Sequence, residues 1–225
     1  MTHPHTETVN TLRFPIALAA LLVAAPLFLT GCFPVVATGV ATTAAVAADR
    51  RTSGAIVEDE RLEWTIGNEI GRQLGDRAHV NVTSFNRLVL LTGEVPNNEA
   101  RQQAEAIARQ GANIRAVVNE LVIAPPSTLG SRANDATLTT QVKARLVGNK
   151  DVPAHLIKVV TENGVVYLMG IVTRREADAA TYVARTTSGV KRVVRVFEIV
   201  DEAEAKRLDH AASSNPNPSP ASAGQ

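Results

Sequence analysis

Cysteine is nearly absent from this sequence of 225 residues, which contains only Cys32. A single thiol excludes an internal disulfide framework and any cysteine-based zinc cluster. Aromatic residues are scarce as well, at 4%, with one Trp and two Tyr. Any core is therefore built from small and β-branched side chains, chiefly Ala and Val, within the 45% apolar content. Neither sign of charge dominates. Lys and Arg number 23 against 22 Asp and Glu, a formal net charge of +1. That balance argues against a dedicated nucleic-acid binder, which carries a strong basic excess. Catalytic signatures are also missing: there is no G-x-S-x-G, H-E-x-x-H, phosphate-binding loop or dinucleotide fingerprint. No enzyme activity is expected, and no cofactor.

Long hydrophobic runs are limited to one, Phe14 to Leu29, of 16 residues. It falls short of the roughly 20 residues that a membrane-spanning helix needs, and Pro15 and Pro26 interrupt it. With Arg13 before it and Thr30-Gly31 after it, the run reads as a secretory signal. Leu29-Thr30-Gly31-Cys32 resembles the bacterial lipobox. That resemblance implies lipid attachment at Cys32, cleavage just before it, and a mature chain of residues 32–225. Phe33, where an Asp would imply retention in the inner membrane, implies export to the outer one. Residues 32–59, rich in Ala, Val and Thr and ending near Asp49-Arg50-Arg51, read as a tether. Residues 202–225, rich in Pro and Ser from Ser213 onward, read as a disordered tail.

Between these ends the sequence repeats. Leu62, Ile66 and Ile70 correspond to Leu138, Val142 and Leu146 at an offset of 76. Val82, Val89, Leu91, Gly93 and Val95 correspond to Val159, Val166, Leu168, Gly170 and Val172 at an offset of 77. Within each unit the hydrophobic period changes in a fixed order. Every fourth residue from Leu62 to Leu74 is apolar, which predicts an amphipathic helix. Asp135 is the expected cap of the equivalent helix, Ala136 to Val147. Asn163-Gly164 between two apolar runs predicts a tight hairpin, a turn that Asn86-Arg87 fits less well. An Ala-rich helix from Arg174 to Thr186 and a β-branched strand from Val193 to Val200 complete the unit. The order is α-β-β-α-β, twice, which predicts an α+β fold with two helices on one face of each three-stranded mixed sheet.

This order, the segment NGVVYLMGIV, the Ala-rich helix after it and the closing GVKRVVRV resemble the BON domain. Two such units behind a lipobox resemble the dual-BON outer-membrane lipoproteins. The expected layout is a signal at 1–31, a tether at 32–59, modules at 60–124 and 136–201 joined by a linker at 125–135, and a tail at 202–225. The resemblance implies a non-enzymatic protein, lipid-anchored on the periplasmic face of the outer membrane, that binds anionic phospholipid and supports envelope integrity. It assigns lipid contact to the first helix of the second module. Thr137 stands near its start, where relatives carry a large aromatic, so electrostatics must do more.

Charge points to the same module independently. Residues 60–124 hold 7 basic and 8 acidic side chains, and residues 135–201 hold 10 basic and 7 acidic. Thr137, Lys143, Arg145 and Lys150 are the candidate phospholipid contacts, and Lys191, Arg192 and Arg195 add to the positive balance. Trp64 lies off the core stripe of its helix on a face shared with Gly67 and Gly71. It reads as an interface residue packed against the second module or the tether. His79 and His155 occupy equivalent strand-edge positions and read as polar flanks, so no metal is expected. The alternative reading is a structural adaptor whose modules bind a protein of the outer-membrane assembly machinery.

Overall fold

From Asp49 to Ser214, residues 49–214, the chain is described by a computed structural model. Helix α1 (Ser53–Leu74) opens on Thr52, whose hydroxyl accepts from the Ala55 amide. It buries Leu62, Ile66, Ile70 and Leu74 along one side. Strands β1 (His79–Phe85) and β2 (Leu88–Val95) form an antiparallel hairpin. Helix α2 (Asn98–Arg109), capped by Asn97, leads to β3 (Ala116–Asn119) and β4 (Val122–Ile123). Both short strands pair in parallel with β2. The second module repeats the order with α3 (Leu129–Val147), β5 (Lys158–Glu162), β6 (Val165–Thr173), α4 (Arg174–Arg185) and β7 (Arg192–Val200). Thr173 and Glu176 form a reciprocal capping box at the start of α4. Helix α5 (Glu202–Ser214) ends the described chain.

The two hairpin turns are held in the same way. Asn86, Arg87, Asn163 and Gly164 all have positive φ, which the tight turn requires. Asp59 on α1 accepts from the amides of Asn86 and Arg87, each at 2.7 Å. Asp135 on α3 accepts from the amides of Asn163 and Gly164, each at 2.8 Å. A buried carboxylate from the first helix thus compensates the left-handed conformation at Arg87. Asp135 is therefore not the helix cap. Helix α3 begins seven residues before Ala136, because Thr128 supplies the capping oxygen. Most of the expected linker is helix.

Alternation along the central strands divides the core into layers. Val89, Leu91 and Val95 pack beneath α1 and α2, and Val166, Leu168 and Val172 pack beneath α3 and α4. The opposite faces of the sheets meet each other through Phe85 and Leu90 from one module and Tyr167, Met169, Ile171 and Val196 from the other. The order of layers is helices, sheet, sheet, helices. Fully buried side chains such as Leu90 and Met169 contribute about 1.5–3 kcal/mol each to this contact. Burial pushes the Tyr167 hydroxyl up to about 12.

The segment before α1 and the helix after β7 close one end of the sandwich. Arg50 is buried and donates to Glu176 at 2.9 Å, to the Ile171 carbonyl at 3.0 Å and to Asp209 at 2.8 Å. Arg51 reaches Asp59 at 3.0 Å and lies 4.1 Å above the Phe85 ring. Residues 49–59 are accordingly ordered structure rather than tether. Residues 202–214 are helix rather than tail, with Ala205 buried and Leu208 packed on the sheet interface. The remaining tail, residues 215–225, lies outside the described residues.

Candidate functional site

Helix α3 is apolar on both sides. Each residue turns about 100° from the last, which sends Asp135, Leu138, Val142 and Leu146 inward, where they are buried. The same rotation aligns Leu129, Ala133, Ala136, Thr140, Lys143, Ala144 and Val147 on the outward side, all exposed. Leu129 is 82% exposed and Val147 76%. This outer stripe is about 27 Å long. Asp135 is the helix's one acidic residue, and it is turned inward onto the hairpin. The stripe therefore carries no negative charge.

The sequence-derived candidates are distributed over this helix with different environments. Lys143 and Lys150 are exposed, and among the described residues neither enters a salt bridge. Thr137 is exposed, and its hydroxyl donates to the Ala133 carbonyl at 3.0 Å within its own helix. Arg145 donates to the Val183 carbonyl at 3.1 Å and to the hydroxyls of Thr187 and Thr186 at 2.8 and 3.1 Å. It ties the end of α3 to the end of α4, where a cation also suits the helix dipole. The other cations noted in the sequence take part in the fold. Lys191 donates to the Asn163 carbonyl, Arg192 pairs with Glu120 across the modules, and Arg195 pairs with Asp178.

Helix α4 shares this outer layer and adds groups that sequence reasoning missed. Arg174, Arg175, Tyr182 and Arg185 are exposed along it, with the Arg185 guanidinium 5.9 Å from the Tyr182 ring. The Arg145–Val183 hydrogen bond sets the C-terminal end of α4, which carries Tyr182, against the C-terminal end of α3. Rotating the α4 sequence at 100° per residue would have found this face. Leu129 falls in the segment 125–135 that the sequence pattern places in the linker.

Trp64 does not pack between the modules. It is 72% exposed, on the outer side of α1 beside exposed Val57. The physical reason is the layer order: the modules meet through their sheets, so both first helices lie on outer faces. His79 and His155 also part company. His79 faces Glu94 and Glu162, whereas His155 lines a small cavity with Asp49, Arg51 and Lys158. Cys32 and the apolar run before it lie outside the described residues.

A duplicated α-β-β-α-β unit with these sheets is what the family comparison finds. The BON domain matches residues 58–125 and again 134–201. The chain therefore belongs to the BON-domain family and carries the domain twice. It is 39% identical over 189 residues, 83% of this chain and 98% of the other, to the outer membrane lipoprotein DolP of Haemophilus influenzae. Two BON domains and that likeness make it a dual-BON outer-membrane lipoprotein of the DolP type. It is also 35% identical over 154 residues, 68% of this chain and 79% of the other, to a 21 kDa hemolysin of Actinobacillus pleuropneumoniae. Osmotically-inducible protein Y of Escherichia coli is 29% identical over 117 residues, 51% of this chain and 58% of the other. Among the described residues no helix is long and apolar enough to cross a membrane.

Proposed function

We propose that the outer face of α3 and α4 binds anionic phospholipid while acylated Cys32 anchors the chain, and that this contact supports outer-membrane integrity. The observation that carries the reading is the acid-free outer stripe of α3, with Leu129 and Val147 exposed at its two ends and Lys143 between them. Such a stripe can rest on a headgroup layer without repelling it. Each cation near an anionic surface contributes about 1 kcal/mol, screened by salt. Lys143 and Lys150 are free to contribute, together with Arg174, Arg175 and Arg185. The 17 peptide steps from Cys32 to Asp49 can span at most about 60 Å. Anchor and face can therefore engage one membrane together, and the local concentration this creates strengthens a weak second contact. The test is flotation of residues 33–225 with vesicles of graded anionic content. Lys143→Glu with Lys150→Glu is expected to reduce binding at least about tenfold, and Val147→Asp to reduce it comparably.

The adaptor reading rests on a different observation, the exposed Trp64 and Val57 on the opposite outer layer. A membrane lying on α3 leaves α1 facing away from it, where a protein of the outer-membrane assembly machinery could bind. Trp64→Ala is expected to leave vesicle binding unchanged.

A further inference from the structure

One edge of the interface between the sheets is polar. His79 and Glu94 are direct partners across β1 and β2, and Glu162 closes β5 in the other module. Ligand atoms of the three side chains lie within 4.8 Å of one another. Glu94 and Glu162 are 2% and 6% exposed. The His79 side chain keeps 20% exposure, which leaves a path from solvent. His79 Nδ1 lies 3.1 Å from Glu94 Oε2, and the Ser127 amide donates to the same oxygen at 3.0 Å. The Asn163 side-chain Nδ2 donates to the other Glu94 oxygen, and the Asn81 Nδ2 donates to Glu162 at 2.7 Å. Thr92 stands opposite Asn81 and shares a strand face with Glu94. It is fully buried, and its hydroxyl has no partner.

Two carboxylates are thus buried together, and among the described residues no Lys or Arg bonds to either. Of the other buried carboxylates, Asp59 and Glu176 have guanidinium partners, Arg51 and Arg50, and Asp135 is held by two backbone amides. An uncompensated buried charge is costly, and one bound cation would compensate both carboxylates at once.

We infer that His79, Glu94 and Glu162 form a site for one divalent transition-metal cation of the zinc type, shared between the two modules. An imidazole nitrogen with two carboxylate oxygens suits zinc-like ions better than the oxygen-only preferences of magnesium or calcium. The Thr92 hydroxyl supplies a further polar group beside the set. Because ligands come from both modules, the ion ties β1 and β2 to β5.

The test uses the acylated full chain in detergent micelles, titrated with Zn²⁺ and in parallel with Mg²⁺, reading stoichiometry by calorimetry and the melting temperature. The expected result is one Zn²⁺ per chain, a melting temperature that rises with Zn²⁺, and no response to Mg²⁺. His79→Asn and Glu162→Gln should each weaken Zn²⁺ binding at least about tenfold, while His155→Asn leaves it unchanged. Glu162→Gln without metal should melt no lower than the parent, which separates lost binding from lost folding. The inference is overturned if Zn²⁺ leaves the parent's melting temperature unchanged, or if His79→Asn and Glu162→Gln bind Zn²⁺ as the parent does.

Discussion

Asp59 and Asp135 perform the same task in the two modules, and each does it with more than one bond. Each carboxylate accepts from both amides of a hairpin turn whose residues are half-buried or, at Gly164, buried. Replacing Asp135 by Asn puts an amide donor where an acceptor is needed. Asp135→Asn should cost about 1–3 kcal/mol, measured as a lower urea midpoint. Gly170 is constrained as tightly, since a Cβ there would lie 2.5 Å from the Leu156 carbonyl oxygen. Gly170→Ala should destabilise by about 1–3 kcal/mol, because a backbone atom cannot move aside as a side chain can. A glycine inside a strand is legible in sequence as a bulge or a close approach. The task of Asp135 was not: a capping Asp and an Asp that holds a distant turn look alike in one dimension, and only the hairpin's position separates them.

At the scale of elements, α1 and α3 were legible because their buried residues recur at helical spacing. Their starts were not, because Thr52 and Thr128 cap segments that carry no apolar stripe of their own. Helix α5 was hidden for another reason. Its stability depends on Arg50, which is 159 residues away in sequence from Asp209, and no local pattern reports such a pairing. Arg50→Met should cost about 3 kcal/mol, since it leaves Glu176 buried without its cation. The pH dependence has a definite sign. Burial pushes Glu176 up, but the Arg50 hydrogen bonds and charge together with the Thr173 hydrogen bonds outweigh it and hold the carboxyl below its ordinary range. Arg50 likewise holds Asp209 low. A carboxylate depressed in the folded state adds stability above its unfolded pKa and loses it as pH falls through the folded one. The gap between Arg50→Met and the parent should therefore be full at neutral pH and narrow below about pH 4. Denaturant unfolding followed across that range checks it.

At the scale of the molecule, β2 and β6 explain how the modules come together. Their sequences, LVLLTGEV and VVYLMGIVT, are nearly continuous in apolar residues, as strands covered on both faces must be. One face was accounted for by helices. The other already signalled a second layer, although it did not say that the layer was the sister module. With the sheets turned toward each other, α3 and α4 form one outer surface, and α1 with Trp64 lies on the other. The proposed membrane contact therefore has a direction: it puts the acid-free face of α3 on the lipid and leaves Trp64 pointing away. The measurement that tests this most directly is flotation of residues 33–225, free of the acyl anchor, with vesicles of increasing anionic content at low and high salt. The account predicts binding that rises with anionic lipid, falls with salt, weakens in Lys143→Glu/Lys150→Glu and Val147→Asp, and is unaffected by Trp64→Ala. Absence of binding at low salt, or binding lost in Trp64→Ala but kept in the α3 variants, would contradict it.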